Sequence, residues 1–371
     1  MAIWKIDELG EFVTLKRGYD LPQQKRKNGE IPIFSSSGVT GTHNEAMVEA
    51  PGVITGRYGT IGEVFFAETS FWPLNTTLYV ENFHENDEKF VYYFLKTLEW
   101  KKFASASAVP GINRNTVHKE IVRFPDFETQ QKIASVLSTI DKKIAVNKAI
   151  NDNLEQQAAT YFQELFINNA NPMWQISTIS DLGTVVGGST PSKTKPEYYT
   201  NNGIAWITPK DLSINKSKFI SHGENDITEL GLKNSSATVM PKGTVLFSSR
   251  APIGYIAIAS NEVTTNQGFK SVIPYSEIGT AFVYFFLKHI LPVIESAASG
   301  STFKEISGSA MKNIPAIIPD RNTLDQFNSF CAPIFAQQKI LEEQNHSLAM
   351  LRDSLLPKLM SGAIDIASIQ L

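Results

Sequence analysis

Two rhythms of apolar and polar residues alternate along the chain. In the first, short apolar runs such as Gly52-Val-Ile-Thr, Glu63-Val-Phe-Phe-Ala and Thr244-Val-Leu-Phe are punctuated by turn signals such as Asn28-Gly29 and Asn202-Gly203. β-Branched and aromatic runs bounded by Gly, Pro, Asn and Ser predict short strands. Residues 1–125 and 169–318 therefore read as mostly β globules. Two denser segments, FVYYFLK at Phe90–Lys96 and FVYFFLK at Phe282–Lys288, predict a core helix packed in each.

The second rhythm is helical. From Thr129 to about Ile167 there is no Pro or Gly, and apolar residues recur at alternating spacings of four and three. Ile133, Leu137, Ile140, Ile144, Asn147, Asn151, Leu154, Ala158, Tyr161 and Leu165 form one seam, eight of its ten members apolar. A later seam runs Phe327, Cys331, Ile334, Gln338, Leu341, Asn345, Leu348, Arg352, Leu355 and Leu359, seven of ten apolar. Such heptads predict two long helices paired along the seam. Asp126 or Thr129, and Asp320 or Thr323, are placed to cap their N-termini, and Gly362 to end the second.

The two rhythms occur twice. Trp4-Lys-Ile-Asp-Glu-Leu returns as Trp174-Gln-Ile-Ser-Thr-Ile at an offset of 170 residues, and the FVYYFLK segment at 192 with six of seven positions identical. The stretch ending at Pro125 returns, ending at Pro319, at 194, so the second copy carries about 24 extra residues after its Trp. A unit of this length is too long for a solenoid repeat. The second helix starts from the second globule and must run back to pair with the first, so the helices are expected antiparallel. Asn151 and Asn345, matched at offset 194, are expected to approach each other. The expected architecture is α+β: globule 1–125, long helix 126–168, globule 169–318, long helix 319–361 and tail 362–371, a pseudo-twofold dumbbell.

Composition narrows the chemistry. Lys plus Arg number 34 against 37 for Asp plus Glu, a net charge of −3, so this is no polycation, and any nucleic-acid site must be a local basic patch. The single cysteine, Cys331, permits neither an intrachain disulfide nor a cysteine-based zinc site. The six His show no metal-ligand spacing. No apolar run approaches the ~18 residues of a membrane span, and Met1–Phe12 lacks the look of a signal peptide, so a cytoplasmic protein is expected. Catalytic signatures are missing. There is no Pro-Pro pair of the kind an amino-methyltransferase strip needs and no phosphate loop, and Leu182-Gly-Thr-Val-Val-Gly-Gly is a poor cofactor turn. Asp126 with Asp141-Lys142-Lys143 mimics a nuclease, but Asp141 lies beside seam residue Ile140 and the second copy has Phe335-Ala336-Gln337 in its place.

Phe34-Ser-Ser-Ser-Gly-Val-Thr-Gly-Thr-His and Gly56-Arg-Tyr-Gly-Thr-Ile-Gly stand in the first globule. Gly187-Gly-Ser-Thr-Pro-Ser-Lys, Ile207-Thr-Pro-Lys-Asp-Leu and Ser249-Arg-Ala-Pro-Ile-Gly stand in the second, and Leu355-Leu-Pro-Lys-Leu-Met-Ser-Gly closes the second helix. In this order and spacing, over essentially the whole chain, the sequence resembles the DNA-specificity subunit of type I restriction–modification enzymes. The resemblance implies that each globule is a target recognition domain reading half of a bipartite site on double-stranded DNA. It implies that the helices set the spacing and carry two methyltransferase subunits, with restriction subunits joining them. It also implies a non-catalytic chain with no cofactor of its own; S-adenosylmethionine, ATP and Mg would belong to the partners. A specificity chain in a type II-like assembly and a coiled-coil scaffold that binds protein are the alternatives.

A groove reader needs adaptable polar groups for bases and cations for phosphates. The first globule offers Lys16, Arg17, Lys25 and Arg26, a polar loop from Ser35 that includes Ser36, Ser37, Thr40, His43 and Asn44, then Arg57, Tyr58, Asn113 and Arg114. The second offers Ser189, Thr190, Lys193, Lys195, Lys210, Arg250 and Lys304. Arg57 and Arg250 occupy corresponding places, and their forked guanidinium groups suit guanine, phosphate or turn carbonyls.

Overall fold

The structure is a computed structural model that describes residues 3–105, 110–300 and 304–366. The chain divides into two compact units, Met1–Ala145 with His346–Leu371 and Val146–Asn345. Each unit thus combines one globule with a stretch of both long helices, so the compact bodies do not end where the secondary structure changes.

The first unit is built on a four-stranded antiparallel sheet, in the order Thr14–Arg17, Thr77–Asn82, Gly52–Gly56, Val64–Ala67. A smaller sheet sets Ile31–Ser35 between Gly38–His43 and the parallel strand Trp72–Pro73. A ribbon of Trp4–Glu8 and Ile121–Pro125 closes the globule. The helix Glu88–Lys96 starts at Asp87, whose carboxylate accepts from the Phe90 N–H at 2.7 Å, and buries Phe90, Val91, Tyr93, Phe94 and Leu95. FVYYFLK is therefore a core segment.

The second unit repeats this plan. Gly183–Gly187, Lys270–Pro274, Val245–Ser249 and Ile253–Ala259 follow the same sheet order, and Gln175–Thr178 pairs with Pro315–Ile318. Its core helix, Thr280–His289, buries every residue from Ala281 to Leu287. The extra length of this copy supplies the short helices Pro209–Ile214 and Glu229–Lys233 and a parallel edge strand, Phe219–Ile220, on Ile253–Ala259. This edge is tied down by Glu342 of the second long helix, whose carboxylate accepts from the backbone N–H groups of Lys218 at 2.8 Å and Phe219 at 3.1 Å. The buried Lys218 ammonium pairs with Glu155, donates to Gln338 at 2.6 Å and lies 4.0 Å from the Phe335 ring centroid.

The first long helix spans Phe127–Gln163 and runs on as a π-helical turn, Glu164–Asn168; the second spans Arg321–Met360. Asp126 and Asp320 are the caps, each accepting at 3.0 Å from the N–H three residues on. Gly362, at φ 73°, follows the second helix, where only glycine takes the left-handed conformation without strain. In the second unit, Asn147 donates to Asn345 at 3.0 Å, Gln338 to the Asn151 carbonyl at 3.1 Å and Gln326 to the Tyr161 hydroxyl at 2.6 Å. Numbers rise on one helix as they fall on the other, so the segments are antiparallel. The same holds in the first unit, where Arg352 meets Asp141 at 2.8 Å and Leu359 joins Ile133 and Leu137 in one core. The polar seam residues do meet, but Asn345 takes Asn147 rather than Asn151. Asp141, which also accepts from the Tyr93 hydroxyl at 2.6 Å, is occupied by this structural network.

No single helix among the described residues is long and apolar enough to cross a membrane. The most apolar stretch, Thr280–His289 with Leu291–Ala297, supplies core of the second unit.

Phe327 is fully buried, with the rings of Tyr161, Phe162, Phe166 and Phe285 centred 5.2 to 6.0 Å away. Phe327→Ala is expected to cost about 3–5 kcal/mol in denaturant melts. Met350→Ala, at a side chain 61% exposed, should stay within about 0.5 kcal/mol of the parent.

Candidate nucleic-acid interface

In each unit the central strand of the main sheet runs out into an arginine. Arg57 follows Gly52–Gly56, and its Nε donates to the Ile112 carbonyl at 3.1 Å while its guanidinium lies 4.5 Å from the centroid of the Tyr58 ring. Tyr58 bridges to Gly111, where a Cβ would stand 2.1 Å from the ring, so glycine is required for that approach. Asn113 caps the helix Arg114–His118, accepting from the Asn115 N–H at 3.0 Å, and Arg114 is exposed at its first turn. These residues form one group. Lys16 and Arg17 lie on the strand Thr14–Arg17, beside that helix; Lys16 pairs with Glu81, and Arg17 stands 3.9 Å from Asp20.

The rest of the first globule's candidates sit on the smaller sheet. The stretch from Ser35 to Asn44, expected as a loop, is mainly the strand Gly38–His43 of a hairpin whose turn is Ser36–Ser37, because Gly38 at φ 99° lets the chain reverse there. Ser36 lies against the Gly56–Gly59 turn that carries Arg57, whereas Ser37, Thr40 and Asn44 are exposed. Arg26 reaches the Thr40 carbonyl at 3.4 Å, and Lys25 is exposed on the preceding turn. His43 points inward. It is 4% exposed, its Nδ1 accepts from the Lys27 N–H at 3.0 Å and its ring packs on Trp72, so its place is structural.

The second unit arranges its candidates differently. The expected match of Arg250 with Arg57 is one residue out: Ser249 takes the backbone position of Arg57, bonding to Gly268 and Ile306 as Arg57 does to Thr76 and Ile112, and Arg250 takes that of Tyr58. Arg250 pairs with Glu305 at 3.2 Å, and Lys270 approaches the same carboxylate at 3.6 Å. Lys210 pairs with Glu224 at 2.6 Å and Lys195 with Glu197 at 3.8 Å. Lys193 and Lys304 are exposed. Ser189 is held by its backbone, donating to Thr265 at 2.9 Å and accepting from the Trp206 indole at 3.0 Å, and the Thr190 hydroxyl donates to Gln267. The first unit therefore presents its arginine with no acidic partner among the described residues, while the second sets two cations, Arg250 and Lys270, on the single carboxylate of Glu305. The sequence reading missed Asp20, Asn75, Gln267 and Lys270, which sit within these groups. The repeat carried no signal here: at the offset of 192, Leu74-Asn75-Thr76 corresponds to Asn266-Gln267-Gly268, with no position identical. No group of three or more His, Cys, Asp or Glu among the described residues could hold a metal ion.

These observations define a duplicated α+β chain with a polar, partly cationic surface at matching places in each copy. A sequence profile of the type I restriction modification DNA specificity domain matches residues 1–156 and 171–345, and the chain belongs to that family. It is 43% identical over 162 residues to the MjaIX type I restriction enzyme specificity subunit of Methanocaldococcus jannaschii, a match covering 43% of this chain and 37% of that protein. It is 24% identical over 347 residues to the HindI specificity subunit of Haemophilus influenzae, covering 72% of this chain and 75% of that one. The crystal structure of a type I restriction-modification S subunit from M. genitalium shares the fold, with a TM-score of 0.66, 17% identity and 96% of each chain covered.

His118 anchors the helix that presents Asn113 and Arg114, because its Nε2 accepts the Leu15 N–H at 2.9 Å. Burial, reinforced by the charges of Arg114 and His84, holds its pKa below the usual 6.5. Between the folded and unfolded values the unfolded chain binds more protons, so the stability this histidine contributes is full above about pH 6.5 and is lost as pH falls toward the lowered value. Melts at about pH 7.5 and about pH 5.5 should show this loss in the parent chain and a flatter response in His118→Asn.

Proposed function

We propose that this chain is the specificity subunit of a type I restriction–modification assembly, reading a bipartite site on double-stranded DNA with one half assigned to each unit. The observation that carries the reading is the repetition of one backbone plan with different polar side chains at its matching places. Arg57 stands with Tyr58 and Asn113, and Arg250 with Glu305 and Lys270. Repeated packing with unlike presented groups is what two readers of unlike half-sites need, since base edges are distinguished by donor and acceptor pattern. Lys16, Arg17, Lys25, Arg114, Lys193 and Lys304 would supply phosphate contacts that fix register.

Methyl transfer and cleavage are assigned to partner subunits, together with S-adenosylmethionine, ATP and Mg. Apolar side chains exposed on the long helices support a docking role for two methyltransferase subunits: Val146, Ile150, Phe330 and Ile340 are 40 to 52% exposed. Val146 and Ile150 stand one turn apart on the first helix, where neighbouring exposed apolar side chains offer a partner a continuous contact.

The test is the modification motif. Replacing residues 1–125 with the equivalent globule of another family member should change one half of the methylated sequence and keep the other. Arg57→Ala should reduce binding to the cognate duplex roughly five- to a hundredfold and relax a base in the first unit's half, with Arg250→Ala acting on the other half. Absence of sequence-specific binding by the assembled parent complex, or both substitutions weakening the same half in footprints, would refute the reading.

A further inference from the structure

Each unit holds a second feature that the arginines do not explain. The loop after the first sheet strand and the loop after the short parallel strand are clasped together. In the first unit Gly18 lies so close to the second loop that a Cβ would stand 2.2 Å from the Leu74 carbonyl oxygen; in the second, Gly188 would meet that of Asn266 at 2.1 Å. Gly18 and Gly188 correspond at the offset of 170. One side-chain bond then crosses each clasp, Asn75 to Asp20 in the first unit and Thr190 to Gln267 in the second. Each clasp also adjoins the arginine: the Arg57 N–H donates to the Thr76 carbonyl at 2.9 Å, and the Ser249 N–H to that of Gly268 at 2.7 Å.

We infer that these two side-chain pairs, Asp20–Asn75 and Thr190–Gln267, are specificity-determining groups, each reading one base of its unit's half-site; the inference rests on the DNA-reading function proposed above. The argument is chemical. Close backbone approach is kept in both copies while the bridging pair differs, which separates a positioning element from a variable one. In the first unit the Asp20 carboxylate can only accept, so the Asn75 amide nitrogen must face it and the Asn75 oxygen is left for another donor. The pair then offers acceptors, suited to the exocyclic amino group of cytosine or adenine. In the second unit the Thr190 hydroxyl takes the Gln267 oxygen, leaving the Gln267 amide N–H groups to donate, suited to guanine N7 and O6 or thymine O4. Cross-bonding also fixes each side chain before binding, which lowers the entropy lost on contact.

The experiment is methylome sequencing of a host carrying the complete assembly, with the parent chain, Asp20→Asn and Gln267→Glu. Asp20→Asn should lower the preference for the parent base at one position of one half roughly ten- to a hundredfold, and Gln267→Glu should do so at one position of the other half. A parent motif unchanged in Asp20→Asn and Gln267→Glu, even with weaker overall methylation, overturns the inference while leaving the function standing. A parent assembly that methylates no bipartite motif overturns the function itself. Should Asp20→Asn lose its fold, Gln267→Glu, which keeps an acceptor for Thr190, decides the matter alone.

Discussion

Phe162 and Phe166 of the first long helix meet Phe327 of the second inside one core, and Ile133 and Leu137 of the first meet Leu359 of the second inside another. Burial of these helix faces is the constraint from which the rest of the structure follows. A sheet with one apolar face must cover it with another layer. Here the cover is supplied by two helices that also cover each other. The globules cannot be described as beads to which helices were later attached, because their cores contain the helices. Register along the pair is set at Asn147, Asn345 and Gln338, where a shift by one turn would leave buried amides without partners.

The buried charge in the second unit belongs to the same logic. Lys218 enters the core beside Glu155 and Gln338, and Glu342 holds the backbone on either side of the Lys218–Phe219 peptide. Removing ions from water is costly, and such clusters stabilise weakly even when well paired. Burial works to raise the Glu155 carboxyl, yet Lys218 and Lys288 outweigh it and hold Glu155 below its usual carboxylate range. What the cluster does provide is position. It seats the additional edge strand of the second copy at one place on the helix, so the extra residues extend the sheet instead of looping freely.

Features carried by local periodicity were legible in the sequence. The heptad seams, the Asp126 and Asp320 caps, the Gly362 stop and the core character of FVYYFLK each depend on residues within a few turns of one another. The kinship of Arg57 and Arg250 was legible only to within one residue: Arg57 and Ser249 share a backbone position, bonded to Thr76 and Gly268, while Arg250 matches Tyr58 in bridging to Glu305 and Gly111 respectively. Long-range pairings were not. Glu305 beside Arg250 and His43 beside Trp72 are brought together by sheet register, which composition does not encode, and so the polar stretch from Ser35 read as a loop when it forms a hairpin. Asn75 and Gln267 went unnoticed because a single amide in a turn carries no pattern until its partner across the clasp is seen.

The division of the chain has a consequence for synthesis. Residues Val146–Asn345 form one uninterrupted stretch, whereas the other unit joins Met1–Ala145 to a segment that begins at His346. As the chain leaves the ribosome, the globule made first lacks Leu359 and Met360, which close its core. The unit made later is complete sooner. Domains commonly fold in the order of their emergence, but here the older half must wait, its apolar groove open, until the last helix returns to fill it. That interval is when the nascent protein is most exposed to chaperones and to aggregation, and it lengthens with every residue inserted between the two halves.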